Sequence, residues 1–193
     1  KRNAQVLADG RELVVAKATF TVYADQPVAG DPTVVYDWSN DEPGHSFWRV
    51  TLVPAAANGM LPSHLLDELS QSWGFYPVSG DLKPKVGDIT APGFVRNDSG
   101  HDYDSKLAVP LGVKSQLLNI LEYTHDLRAT PGNYNIETRN CTDIAIAAAG
   151  IIGLALPDCY GDVYDENGEF LITCSCPAVL GEELIALGGE RHP

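Results

Sequence analysis

The sequence predicts an α+β fold in which an antiparallel sheet packs against a buried helix carrying a cysteine. Three observations lead there. His45–Val53 (HSFWRVTLV) alternates aromatic or aliphatic residues with polar ones, the pattern of a half-buried strand. Residues 144–156 form the longest apolar run, and the helix they predict is apolar on most faces, which marks a buried helix. The chain has 193 residues, 44% hydrophobic and 20% charged, enough for one folded domain, 1–193, with a sizeable core.

The remaining elements follow in order. Residues 13–23 (LVVAKATFTVY) are β-branched and aromatic and predict a strand. Gln26-Pro27 and Gly30-Asp31-Pro32 supply loop chemistry, and residues 33–38 predict a further short strand. Leu65, Leu66 and Leu69 have helical spacing within residues 62–72. Trp73-Gly74-Phe75-Tyr76-Pro77 reads as a short strand ended by its proline. Residues 80–100 are rich in Gly, Pro and Asp and read as a long loop, a rim or lid. Residues 103–111 predict a strand and residues 114–127 an amphipathic helix through Leu117, Leu118, Ile120 and Leu121. The cysteine helix ends near Gly153, and beyond it only residues 178–187 predict a helix.

Net charge is −13 and the pI near 4.6. That excludes nucleic acid as a partner, since phosphate backbones reward clustered Lys and Arg. The apolar run falls short of the roughly 20 residues a membrane span needs, so the chain reads as soluble. No apolar signal segment opens it, and its start at Lys1 rather than Met suggests a missing upstream segment. No P-loop, G-x-G-x-x-G, H-E-x-x-H or C-x-x-C pattern occurs, and no cofactor is expected.

Cys141 is the leading candidate nucleophile. It opens the apolar helix behind Asn140, whose side-chain oxygen suits the N-cap, while Asp143 complements the positive end of the helix dipole. The same amides and dipole stabilise a thiolate, the reactive form of cysteine. A nucleophile needs a base, and His45, after Gly44 at the mouth of its strand, is the first choice. His101, in Gly100-His101-Asp102-Tyr103-Asp104, is a rival base or an orienting partner; His64 and His125 read as surface residues of helices. Among Cys159, Cys174 and Cys176 one disulfide is possible, Cys159 with either of the others. A zinc site from the three lacks a fourth ligand beyond the terminal His192, so no metal is expected.

Gly44-His45 opening a strand, followed late by Asn140-Cys141-Thr142-Asp143 opening a helix, resembles the circularly permuted NlpC-type papain-like hydrolases and the lecithin retinol acyltransferase branch. Trp73–Pro77 and Tyr134-Asn135 are similar to segments of bacterial members, including toxins delivered to rival cells. The resemblance covers residues 15–157. It implies a permuted papain-like fold with Cys141 as nucleophile, His45 as general base, and a polar third residue on the strand after the histidine strand. For that place His101 is the first guess and Ser72 the second. The Cys141 amide, at the helix mouth capped by Asn140, would hold the oxyanion. The implied activity is that of a cysteine amidase or peptidase on an amide bond of bacterial cell-wall peptide; acyl transfer, lipid or ubiquitin-like hydrolysis, and a non-catalytic binding module are the alternatives. A peptidoglycan substrate, an immunity or inhibitor protein as partner, and secretion or delivery to a target-cell periplasm accompany it.

Overall fold

Alternation along two long antiparallel strands sets the architecture. The computed structural model describes residues 4–6, 12–14, 17–53, 61–78, 87–112 and 114–192. Strand β3 (Lys17–Asp25) pairs with β4 (His45–Val53) along its whole length, with Phe20 opposite Val50 and Val22 opposite Trp48. Because successive side chains point to opposite faces, Phe20, Val22, Trp48 and Val50 enter the core together, all essentially inaccessible. His45, Phe47 and Arg49 share the other face.

The sheet has seven strands in the order β11-β7-β3-β4-β5-β6-β8, every neighbouring pair antiparallel. The other members are β5 (Ser72–Pro77), β6 (Thr90–Asn97), β7 (Ser105–Leu111), β8 (Asn133–Asn135) and β11 (Glu190–Arg191). Two two-stranded ribbons lie outside it: β1 (Ala4–Val6) with β2 (Glu12–Val14), and β9 (Tyr160–Tyr164) with β10 (Phe170–Ser175).

Helix α1 (Lys114–Ala129) buries Leu117, Ile120, Leu121, Thr124 and Leu127, and α2 (Cys141–Ile151) buries Ile144, Ala145, Ala148 and Ala149. Both stripes join the Trp48 core. Each fully buried Leu, Ile, Val or Phe contributes about 1.5–3 kcal/mol before entropy is subtracted. The alanines let α2 approach β4 closely, and the Trp48 indole finds a partner inside this core by donating to Thr124 Oγ1 at 3.1 Å. A third helix, α3 (Pro177–Ala186), packs on β3 and β7.

The fold is thus mixed α+β with an antiparallel main sheet, and the cysteine helix packs on that sheet. Several local expectations change. The loop read over 80–100 contains β6; its alternate residues Ala91 and Gly93 turn inward, and pairing with β5 outweighs the Gly and Pro content. Residues 80–86 lie outside the described residues. No strand forms over 33–38: only the bridge Asp37–Glu42 closes a turn there, while Val35 drops into a second apolar cluster with Val163, Cys174, Cys176 and Ala178. The 62–72 helix is a 3-10 helix, Ser63–Glu68. Residues 160–175, read as irregular, form the β9–β10 ribbon.

Candidate active site

Three elements converge on one sulfur. Asn140 caps α2 fully: its Oδ1 accepts from the Thr142 and Asp143 amides at 2.9 and 3.2 Å, and Asp143 Oδ2 accepts from the Asn140 amide at 2.8 Å. Its Nδ2 donates to the Ile136 and Ser175 carbonyls, both at 2.8 Å. Asn140 therefore has no donor left for an oxyanion, and its part is to hold the helix mouth. The Cys141 amide is not taken by the cap.

His45 enters from the first position of β4. Gly44 precedes it at φ +69°, and a Cβ there would lie 2.5 Å from the Asp25 carbonyl, so only glycine makes this turn. The imidazole Nε2 meets Asp98 Oδ2 at 2.9 Å, and the ring interacts with the Cys141 thiol. With Nε2 committed to Asp98, Nδ1 is the nitrogen left for sulfur. The imidazole stacks on Tyr76, ring centroids 4.3 Å apart.

Asp98 follows directly after β6 and is almost wholly buried. Besides His45 it accepts from the Tyr76 hydroxyl at 2.9 Å and from Arg96 Nε at 3.0 Å. Arg96 also lies over the Tyr76 ring, 3.8 Å from its centroid. Ser72 contributes through its backbone, its carbonyl accepting from the Asp98 amide at 2.7 Å. Gly74, in β5, leaves room for the pair: a Cβ would fall 1.8 Å from Asp98 Oδ2 and 2.4 Å from His45 Nε2.

Burial works against every charge in this cluster, and the partners outweigh it. For His45 burial favours the neutral ring, but Asp98 and the Cys141 sulfur raise its pKa to about 9. For Cys141 burial favours the thiol, yet the His45 hydrogen bond and charge, the Ser46 amide and the Thr142 side chain lower its pKa. Asp98 is likewise held below the usual carboxylate range, despite burial, by His45, Tyr76 and Arg96. All three shifts favour a thiolate–imidazolium pair backed by a carboxylate. The other thiols behave oppositely. All four cysteines are unbridged, and burial pushes Cys159 and Cys174 up to about 12 and raises Cys176. Their burial in apolar surroundings is packing.

Tyr134, on β8 six residues before the cap, interacts through its hydroxyl with both the amide and the thiol of Cys141; burial, then the sulfur's charge, raise its pKa well above the ordinary value. Its ring stacks on Phe75, centroids 5.3 Å apart.

The structure thus brings Cys141 and His45 together but gives the third place to Asp98. His101 stands beside the pair, not in line with it. Its ring is edge-on to His45 with centroids 5.2 Å apart, and its Nε2 bonds Asp25 Oδ2 at 3.2 Å. Ser72 lies one strand away from the ring it was guessed to orient. His125 is not a free surface residue, since its Nδ1 meets Glu68 Oε1 at 3.2 Å; half-exposed His64 lies 3.5 Å from Glu122. His192 packs edge-on against Tyr103, and no group of three metal-binding side chains occurs among the described residues. No described helix is long and apolar enough to cross a membrane.

The chain matches no protein-family model, and neither curated proteins nor solved structures provide a match.

Proposed function

We propose that this chain is a cysteine hydrolase of permuted papain-like design, an amidase or endopeptidase acting through an acyl-enzyme. One observation carries the reading. Of four buried thiols, only Cys141 has a lowered pKa, and it touches an imidazole whose far nitrogen is held by a buried carboxylate. A structural cysteine gains nothing from such an arrangement, whereas a nucleophile requires it.

The steps follow from the protonation states. The Cys141 sulfur attacks the substrate carbonyl carbon, and the carbonyl electron pair moves onto oxygen. The Cys141 amide, which meets the Tyr134 hydroxyl in the free site, holds that oxyanion once the substrate carbonyl displaces this contact. The protonated His45 gives its Nδ1 proton to the leaving amine, so the C–N bond breaks and a thioester remains. Water then attacks the thioester while His45 takes its proton, and the acid leaves as the thiolate re-forms. Asp98 stays ionised, fixing the ring orientation through Nε2 and stabilising the imidazolium.

Histidine before cysteine in the chain, with the cysteine opening a helix against an antiparallel sheet, is the order of the permuted NlpC-type enzymes. That resemblance supports an amide of bacterial cell-wall peptide as the substrate, with the target-cell periplasm as the site of action and a neutralising protein as partner.

Purified peptidoglycan digested with wild type should release new amine and carboxyl termini detectable by mass spectrometry. Cys141→Ala, folded by circular dichroism, should release none, a loss of on the order of 10⁴-fold or more. A Cys141→Ala protein with full biological effect would instead make the chain a binding module.

A further inference from the structure

The β9–β10 ribbon and the loop against it hold every exposed large aromatic among the described residues. Trp38 is 39% exposed, Tyr160 57%, Tyr164 48% and Phe170 58%. Three of them lie on the ribbon, and Trp38 is fastened at its edge. Tyr160, Asp162 and Tyr164 alternate onto the outer face of β9, and Phe170 stands opposite Tyr164 with ring centroids 6.0 Å apart. The Trp38 indole donates to the Tyr164 carbonyl at 2.7 Å, fastening the loop to the ribbon. Surfaces of folded proteins scatter single apolar residues; three aromatics on one ribbon with a fourth fastened beside them mark an interaction site.

The charge around them has one sign. Asp41, Glu42, Asp162 and Glu169 are exposed at its rim, and residues 31–44 and 157–175 contain no Lys or Arg. Asp37 and Asp162 have neutral hydroxyl and amide partners: Ser39 and Asn40 for the first, Thr173 for the second. Exposed aromatic faces ringed by carboxylates complement a guanidinium, which stacks on the ring and pairs with the acid at once.

We propose that this ribbon is the docking surface for a basic, arginine-bearing polypeptide. Trp38 and Phe170 are its anchors, and the flanking carboxylates steer the partner in. The surface is separate from the catalytic pair, although β10 ends at Ser175, whose carbonyl accepts from Asn140 of the helix cap. The inference does not depend on the hydrolase reading.

The test uses nona-arginine as the probe and the intact chain as the target. Trp48 and Trp73 are buried, so quenching of the accessible tryptophan emission reports Trp38. Nona-arginine should quench it saturably, and binding should weaken as ionic strength rises. Trp38→Ala/Phe170→Ala should bind about tenfold more weakly by calorimetry. Phe170→Ala alone, at a side chain more than half exposed, should still weaken binding if removal of Trp38 unsettles the loop. Neither variant should change the alkylation rate of Cys141. Equal affinity for wild type and both variants would show that net charge alone attracts the probe and overturn the proposal. So would absence of binding, or a concentration-dependent dimer that the double variant abolishes, since the occupant would then be a second copy.

Discussion

At the scale of single residues, the proposed function rests on where two protons sit. An imidazole with a pKa near 9 is charged throughout the neutral range, and its charge favours the thiolate form of the sulfur beside it. Iodoacetamide should therefore alkylate Cys141 selectively at neutral pH, with Cys159, Cys174 and Cys176 following only after denaturation; mass mapping of the labelled peptides checks this. Asp98→Asn removes the charge behind the imidazole, so the His45 pKa falls. The alkylation profile of Cys141 should then move toward the ordinary thiol range near 8.5. The two limbs of the pH profile separate the roles. Above about 9, His45 loses its proton and the proposed amide hydrolysis should decline for want of an acid, whereas alkylation of Cys141 should not. The sign for stability agrees: a raised imidazole pKa stabilises the fold below its unfolded value, and that contribution disappears as pH rises through about 9. Cys141, Asn140 and His45 were legible in the sequence because a cap, a helix start and a strand mouth are local patterns. Asp98 was not, because its partnership with His45 spans 53 positions and depends on a strand order no local pattern encodes.

At the scale of elements, β5 does more than separate β4 from β6. Its Trp73 and Phe75 fill the core while Gly74, on the opposite face, lets the His45–Asp98 bond lie against the sheet. Gly74→Ala places a methyl inside that bond, so His45 or Asp98 must move. Overpacking of this kind costs about 1–3 kcal/mol. The Cys141 alkylation rate at neutral pH should fall toward that of Asp98→Asn, with a native circular dichroism spectrum; an unchanged rate would show that the ring and carboxylate shift without losing contact. Asn140→Ala strips the cap from α2, at about 0.5–2 kcal/mol, and also leaves the Ser175 and Ile136 carbonyls without their donor. Urea unfolding should show at least the larger of these losses. The cysteine helix and the strand β4 were readable because length and periodicity reinforce one another, whereas the pairing of β3 with β4 was not. Strand β6 was obscured because Pro92 and Gly93, read as loop residues, sit where pairing with β5 on one side and a three-residue edge strand on the other tolerates them.

At the scale of the whole molecule, the sheet and its helices need a fixed mutual position, or the Cys141 sulfur on α2 would drift from the imidazole on β4. A separate tie, away from α2, is made by Glu68, 1% exposed at the end of the 3-10 helix between β4 and β5. Its carboxylate accepts from Arg128 Nη1 at 2.5 Å and meets His125 Nδ1 at 3.2 Å, both on α1. Its carbonyl accepts from the Trp73 indole at 3.3 Å, and Arg128 lies 4.1 Å over that same ring. One buried acid thus joins the 3-10 helix, α1 and β5. A carboxylate with no partner would be intolerable there, and both of its partners come from the facing helix. Removing a fully buried partner costs about 3–5 kcal/mol. Here Arg128 and His125 are about one-third exposed and can turn to water, so the cost is smaller. Glu68→Ala should lower the unfolding free energy by about 1–3 kcal/mol, read as a lower urea midpoint at unchanged slope. Glu68→Gln, which keeps the acceptor but not the charge, should lose less. Alkylation of Cys141 in native buffer should be unaffected in both, because the cluster holds the layers and touches none of the reacting groups. A midpoint equal to wild type for Glu68→Ala would mean that core packing alone sets the distance between helix and sheet.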